Sequence, residues 1–188
     1  MPVGIAFLRG INVGGKHTLP METLRGLCEG LGLRDARTYI QSGNVVFSAG
    51  KRELAKAAAG LEGAIEKRCG FRPRVVVRTL EEVRGVIAGS PFGGGRAGPA
   101  VIDGTRLLVM FLAEEPSEPA KKAVGAIKAN PERVRLMGRD LYMDFPNGLA
   151  KSTLPMGALE KAVGVAGTVR NWNTVRMVVE MGGTLEVE

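Results

Sequence analysis

The sequence predicts an α+β protein built from two ferredoxin-like (split βαβ) subdomains with antiparallel sheets. Three observations carry that prediction. Before residue 80 the hydrophobic pattern runs strand, helix, strand, strand, helix, strand. After the glycine- and proline-rich stretch "GSPFGGGRAGPAVIDG" the order strand, helix, strand, strand, helix returns, with no detectable residue-level identity between the halves. With 45% hydrophobic residues in 188, the chain also has the apolar content for real cores. The implied organisation is a βαββαβ subdomain over 1–79, a helix and Gly/Pro-rich connection over 80–104, and a second α+β subdomain with C-terminal helices over 105–188.

Each element has its own signal. "VGIAFLR" is a short apolar run that stops at a glycine loop, as a buried strand does. In "PMETLRGLCEGLGL", Met21, Leu24, Leu27, Cys28 and Leu31 recur at helical spacing, and Gly32 closes the helix. "RTYIQSGNVVFSA" reads as two strands joined around Ser42-Gly43. "KRELAKAAAGLEGAIEKRCG" places Leu54, Ala58, Leu61, Ile65 and Cys69 on one helical face, and "RPRVVVRT" supplies a fourth strand. Thr79 followed by Glu82 is a capping box that starts a further helix. Beyond the connection, "TRLLVMFLA" is a strand and "SEPAKKAVGAIKAN" a helix with Ala120, Ala123, Val124 and Ile127 turned inward. "RVRLM" and "DLYMDF" form a second hairpin, and "PMGALEKAVG" and "NWNTVRMVVEM" end the chain as helices.

Composition narrows the function classes. A net charge of +7 favours anionic partners such as nucleic acid, nucleotides or phosphorylated metabolites, although a basic balance also serves plain solubility. Cys28 and Cys69 are isolated on apolar helix faces, which points to a reducing, cytoplasmic setting without disulfides and without a zinc site. The opening "MPVGIAFLRG" lacks the basic start of a signal peptide, and no stretch is apolar enough to span a membrane.

The opening loop, "LRGINVGGKHTLP", satisfies the G-x-x-x-x-G-K half of the phosphate-binding loop pattern. His17 stands where that pattern needs a magnesium-binding hydroxyl, and Pro20 delays the helix, so nucleotide hydrolysis is disfavoured. A looser anion site and a ligand-free turn both remain open. In a split βαβ sheet the loop after the first strand and the hairpin joining the second and third emerge at one end. Arg9, Asn12 and Lys16 are therefore expected to share a rim with Gln41, Ser42 and Asn44, and Gly10, Gly14 and Gly15 to let backbone N–H groups approach an anion. His17 is the sole histidine and reads as a solvated loop residue; Ser42 reads as turn chemistry more than as a nucleophile.

A second candidate group lies near the C-terminus. Lys151 and Ser152 follow a strand and precede a helix, and Asn171 or Asn173 can cap the last helix beside Arg170. The alternative reading is two caps with Trp172 in the core. Phe7 and Phe47 lie on the central strands of the first sheet, where an RNA-binding sheet would expose aromatics, but both are expected to pack under helices.

The segments "FLRGINVGG", "TYIQSGNVVF", "LYMDFPNGLAKS" and "TVRNWNT" together resemble the bacterial domain of unknown function 1697 family over essentially the whole chain. The resemblance implies a two-subdomain α+β fold and no known activity or cofactor. The best sequence-level expectation is a cytoplasmic protein binding an anionic, phosphate-bearing small molecule at these loops. An RNA- or DNA-binding module and a purely structural or partner-binding protein are the alternatives.

Overall fold

The computed structural model describes residues 1–93 and 103–187. The glycine- and proline-rich connection assigned from the sequence falls largely on 94–102, outside the described residues. The chain forms two compact units, residues 1–84 with 176–188, and residues 85–175.

The first unit holds β1 (Val3–Arg9), α1 (Met21–Gly30), β2 (Arg34–Tyr39), β3 (Asn44–Ser48), α2 (Lys51–Cys69) and β4 (Arg74–Thr79). Its sheet runs β2-β3-β1-β4, antiparallel throughout, which is the ferredoxin-like order. Alternation sets the faces. Ala6, Leu8, Val45, Phe47 and Val75 point to one side and form a core with Leu24 and Cys28 of α1 and Leu61 and Ile65 of α2. Each fully buried Leu or Phe of this kind stabilises the fold by about 1.5–3 kcal/mol. Burial pushes the Cys28 thiol up to about 12, so it stays protonated and inert.

Phe47 packs under α1 and α2 as expected, whereas Phe7 points to the other face of the sheet. It shares that face with its cross-strand partner Asn44 and is fully buried there. Strand parity decides this: Phe7 is one residue removed from the core-facing Ala6 and Leu8. That face of β1 carries the buried side chains of Val3, Ile5 and Phe7, and it is the face on which Arg37 reaches Thr184 of the C-terminal helix.

The second unit repeats the design with β5 (Leu107–Leu112), α4 (Glu118–Gly125), β6 (Arg133–Met137), β7 (Asp140–Asp144), α5 (Met156–Val163) and β8 (Gly167–Asn171), in sheet order β6-β7-β5-β8. Leu108, Met110 and Leu112 meet Val124, Leu141, Met143 and Leu159 in its core. α4 is shorter than the sequence suggests. It stops at Gly125, so Val124 is buried and Ile127 partly so, while Ala123 faces solvent. Between the sheets' elements in sequence come α3 (Leu80–Ala88) and, at the end, α6 (Trp172–Val187).

Topology also uncovers a residue-level repeat that the sequence reading missed. The last strand of each sheet runs directly into a helix, and aligning those junctions sets Val77-Arg78-Thr79-Leu80 against Val169-Arg170-Asn171-Trp172, with Val83-Arg84 against Val175-Arg176. The caps coincide as well. Thr79 Oγ1 accepts the Glu82 N–H while the Glu82 carboxylate accepts the Thr79 N–H, and Asn171 Oδ1 accepts the Thr174 N–H. Arg78 and Arg170, at matching strand positions, are both buried. Desolvation lowers the Arg170 guanidinium to about 10.

Candidate functional site

The glycine loop is a hairpin, not a phosphate cradle. Val13 O accepts the Lys16 N–H at 3.1 Å, and Gly14 and Gly15 both have positive φ, 58° and 72°. That is the signature of a type I′ turn, which needs glycine-like freedom at both central residues. One step further down, Asn12 N–H donates to His17 O at 3.1 Å. The amides of Asn12 and Lys16 thus close the hairpin. A phosphate-binding loop instead wraps its amides around the ligand and enters a helix at once.

The hairpin is clamped to its neighbours. Asn12 Nδ2 donates to Leu19 O and to Gln41 O, and its Oδ1 accepts the Leu19 N–H at 2.8 Å. Leu8 N–H donates to Gly43 O at 2.8 Å. A Cβ on Gly43 would sit 2.7 Å from Ile11 Cδ1, so the two loops touch at van der Waals distance. Asn44 is fully buried, with Nδ2 donating to Tyr39 O and Ser42 Oγ. These two asparagines hold the turns in shape.

Around the clamps lies an exposed rim. Arg9, Gly10, Gly14, Gly15, Lys16, Gln41 and Ser42 are all exposed, as expected for residues leaving one sheet end. Ile40, 51% exposed, adopts φ 49°, a costly conformation for a β-branched residue.

Five contributors were not legible beforehand: His17 in its packed form, Phe71, Arg74, Lys67 and Arg68. His17 is not a freely solvated side chain: its ring stacks on Phe71 with centroids 4.7 Å apart, and Nδ1 lies 3.0 Å from Gly10 O. A carbonyl only accepts, so Nδ1 carries the proton of that bond. Phe71 belongs to the segment leading into β4, and it packs partly against the core. Because β4 is antiparallel to β1, Arg74 stands directly opposite Arg9. Lys67 and Arg68, in the last turn of α2, adjoin the same segment. Part of this charge is compensated, since Arg72 pairs with Glu62 and Glu66, and Arg74 Nη1 lies 3.7 Å from Glu62 Oε1. The signal available in the sequence was the basic-aromatic run "EKRCGFRPR" preceding the fourth strand.

The C-terminal candidates belong to the second unit, where β7 and β8 both end on the side at which β5 begins. Lys151 is exposed on a single 3₁₀ turn (Leu149–Lys151), and Ser152 Oγ accepts the Leu154 N–H. The Ser152 hydroxyl and Thr153 N–H also bind Glu132. Asn171 is the helix cap, Asn173 is exposed, and Arg170 is buried beside Thr168 Oγ1 at 2.8 Å. Trp172 is core. These geometries are those of caps and tethers. Among the described residues no cluster could hold a metal ion, and no helix is long and apolar enough to cross a membrane.

Residues 1–142 match the family described as protein of unknown function (DUF1697), and the chain belongs to that family. No curated protein matches it. Among solved structures, the conserved bacterial protein SP0830 from Streptococcus pneumoniae is similar, at 22% identity over 96% of this chain and 98% of that one, with a TM-score of 0.71. That likeness concerns the fold.

Proposed function

We propose that this member of the family binds an anionic, phosphate-bearing ligand at the loop end of its first sheet. The observation that supports the reading is that exposed Arg9 stands opposite exposed Arg74, while the His17–Phe71 stack joins the Lys16 hairpin to the segment that follows Lys67 and Arg68 of α2. An anion seated beside Arg9 and Arg74 would meet two guanidinium groups carried by neighbouring strands. A charge-assisted hydrogen bond to such an anion contributes about 1.5–3 kcal/mol. Asn12 and Asn44 would act by holding the loops, and the exposed Gln41 and Ser42 by adding neutral donors.

Tripolyphosphate is a suitable probe, because ligand binding to the native state raises the melting temperature. At low salt it should stabilise the wild-type protein, and Arg9→Ala with Lys16→Ala should abolish most of that shift without lowering the ligand-free melting temperature. No shift in the wild type, or an equal shift in the double variant, removes the proposal. Magnesium-dependent ATP turnover lost on Lys16→Ala would show instead that the hairpin acts as a hydrolytic loop.

A further inference from the structure

We infer that the polyanion this surface receives is single-stranded nucleic acid, with one base stacked on the outer face of His17; this rests on the anion reading above. The imidazole is held by two contacts, the Phe71 ring beneath it and the Gly10 carbonyl at Nδ1. Phe71 is in turn anchored against the core, so the stack has a fixed base. His17 is nevertheless exposed. A planar ring backed by a second ring and exposed to solvent is what an unpaired base requires of a stacking platform.

The surroundings favour a polymer over a mononucleotide. Small-molecule sites are concave and enclose most of their ligand, whereas Arg9, Lys16, His17, Arg68 and Arg74 are all exposed. A single nucleotide resting here would keep most of its surface in water. Lys16 adjoins the histidine of the stack in sequence, and Arg68 and Arg74 lie within three residues of its phenylalanine, so a strand crossing the stack would find cations on both segments that build it. An acidic peptide could satisfy the cations but offers no planar group for the imidazole face. The mode also differs from the familiar sheet-face binding of RNA, because Phe7 and Phe47 are both fully buried.

The test is fluorescence anisotropy with a labelled 12-nucleotide single-stranded oligoribonucleotide at about 50 mM salt, where phosphate contacts are strong. Competitors are an abasic strand of equal length, inorganic polyphosphate and polyglutamate. The base-bearing strand should bind best. His17→Ala should weaken it by roughly tenfold, the size of one lost stack, and leave the abasic strand within about twofold. His17→Trp should restore binding, which separates stacking from damage to the hairpin. Lys16→Ala should reduce the salt slope by about one. Equal binding of base-bearing and abasic strands overturns the stacking inference while leaving the anion reading standing. Tighter binding of polyglutamate overturns it in favour of an acidic peptide. Failure of every polyanion to bind removes both.

Discussion

The two sheets are built on one plan and differ at one end. In each, the first strand is clamped to the turn of the neighbouring hairpin: Leu8 N–H donates to Gly43 O at 2.8 Å, and Leu112 N–H to Arg139 O at 2.9 Å. Past that clamp the units part. After β1 the chain makes the glycine hairpin and the basic rim; after β5 it runs through Glu114 and Glu115 into Ser117, which caps α4. There Lys121 is tied to Glu115 at 2.7 Å and Glu118 at 2.8 Å, and the Arg139 charge also acts on Glu115. That bond from Lys121 holds Glu115 below the usual carboxylate range. The fold is therefore carried by alternating apolar residues, and the charge of a sheet end is a separate property of its loops.

The largest test of that comparison is in the cores. Leu8→Ala and Leu112→Ala remove equivalent, fully buried side chains, and each should cost about 2–5 kcal/mol in denaturant unfolding. A large inequality would show that the shared clamp hides different packing.

Next come the hairpin glycines. Gly43→Ala meets both a positive φ of 79° and contact with Ile11 and Leu8, whereas Gly138→Ala meets a φ of 57° with open space. Left-handed backbone alone costs about 1–2 kcal/mol, and overpacking adds about 1–3. The first variant should melt several degrees below the second. Equal melting would mean that the two loops of the first unit are not pressed together.

The caps should behave alike. Thr79→Ala and Asn171→Ala each remove one cap acceptor at matching junctions, and each should lower stability by about 1 kcal/mol.

The smallest effect is one of pH. Hydrogen bonds from its own backbone N–H, from Ser152 and from Thr153 hold Glu132 below its ordinary 4.5. A carboxylate depressed in the folded state contributes stability above its unfolded value and loses it as pH falls through the folded one. Glu132→Gln should therefore flatten the acid limb of the stability curve below about pH 4.5 and change little at pH 7. An unchanged acid limb would mean that the tether does not depend on charge.

Much of this architecture was legible in sequence because the central strands are short, continuous apolar runs and the helices have clear stripes. The rim was legible in part. Strand parity brings the glycine hairpin to the β2–β3 turn, where Asn12 reaches Gln41 O and Leu8 reaches Gly43 O. What escaped was whatever depends on pairing between distant strands: Arg74 opposite Arg9, and Phe71 beneath His17. A lone histidine in a polar loop gives no sign of a ring waiting beneath it more than fifty residues away. The repeated Val-Arg junction escaped for another reason, since only the matched strand orders say which segments to align.

The first unit has one more property, which concerns time. Its closing segment, residues 176–188, follows roughly ninety residues that belong to the other unit. Arg37 Nη1 donates to Thr184 Oγ1, and Arg84 pairs with Glu186, so the segment is bonded into the unit it completes. On a ribosome adding about 5–20 residues per second, the N-terminal sheet emerges several seconds before the helix that finishes it. The second unit, continuous in sequence, has all its residues first. Of the two units, the one begun first is thus completed last.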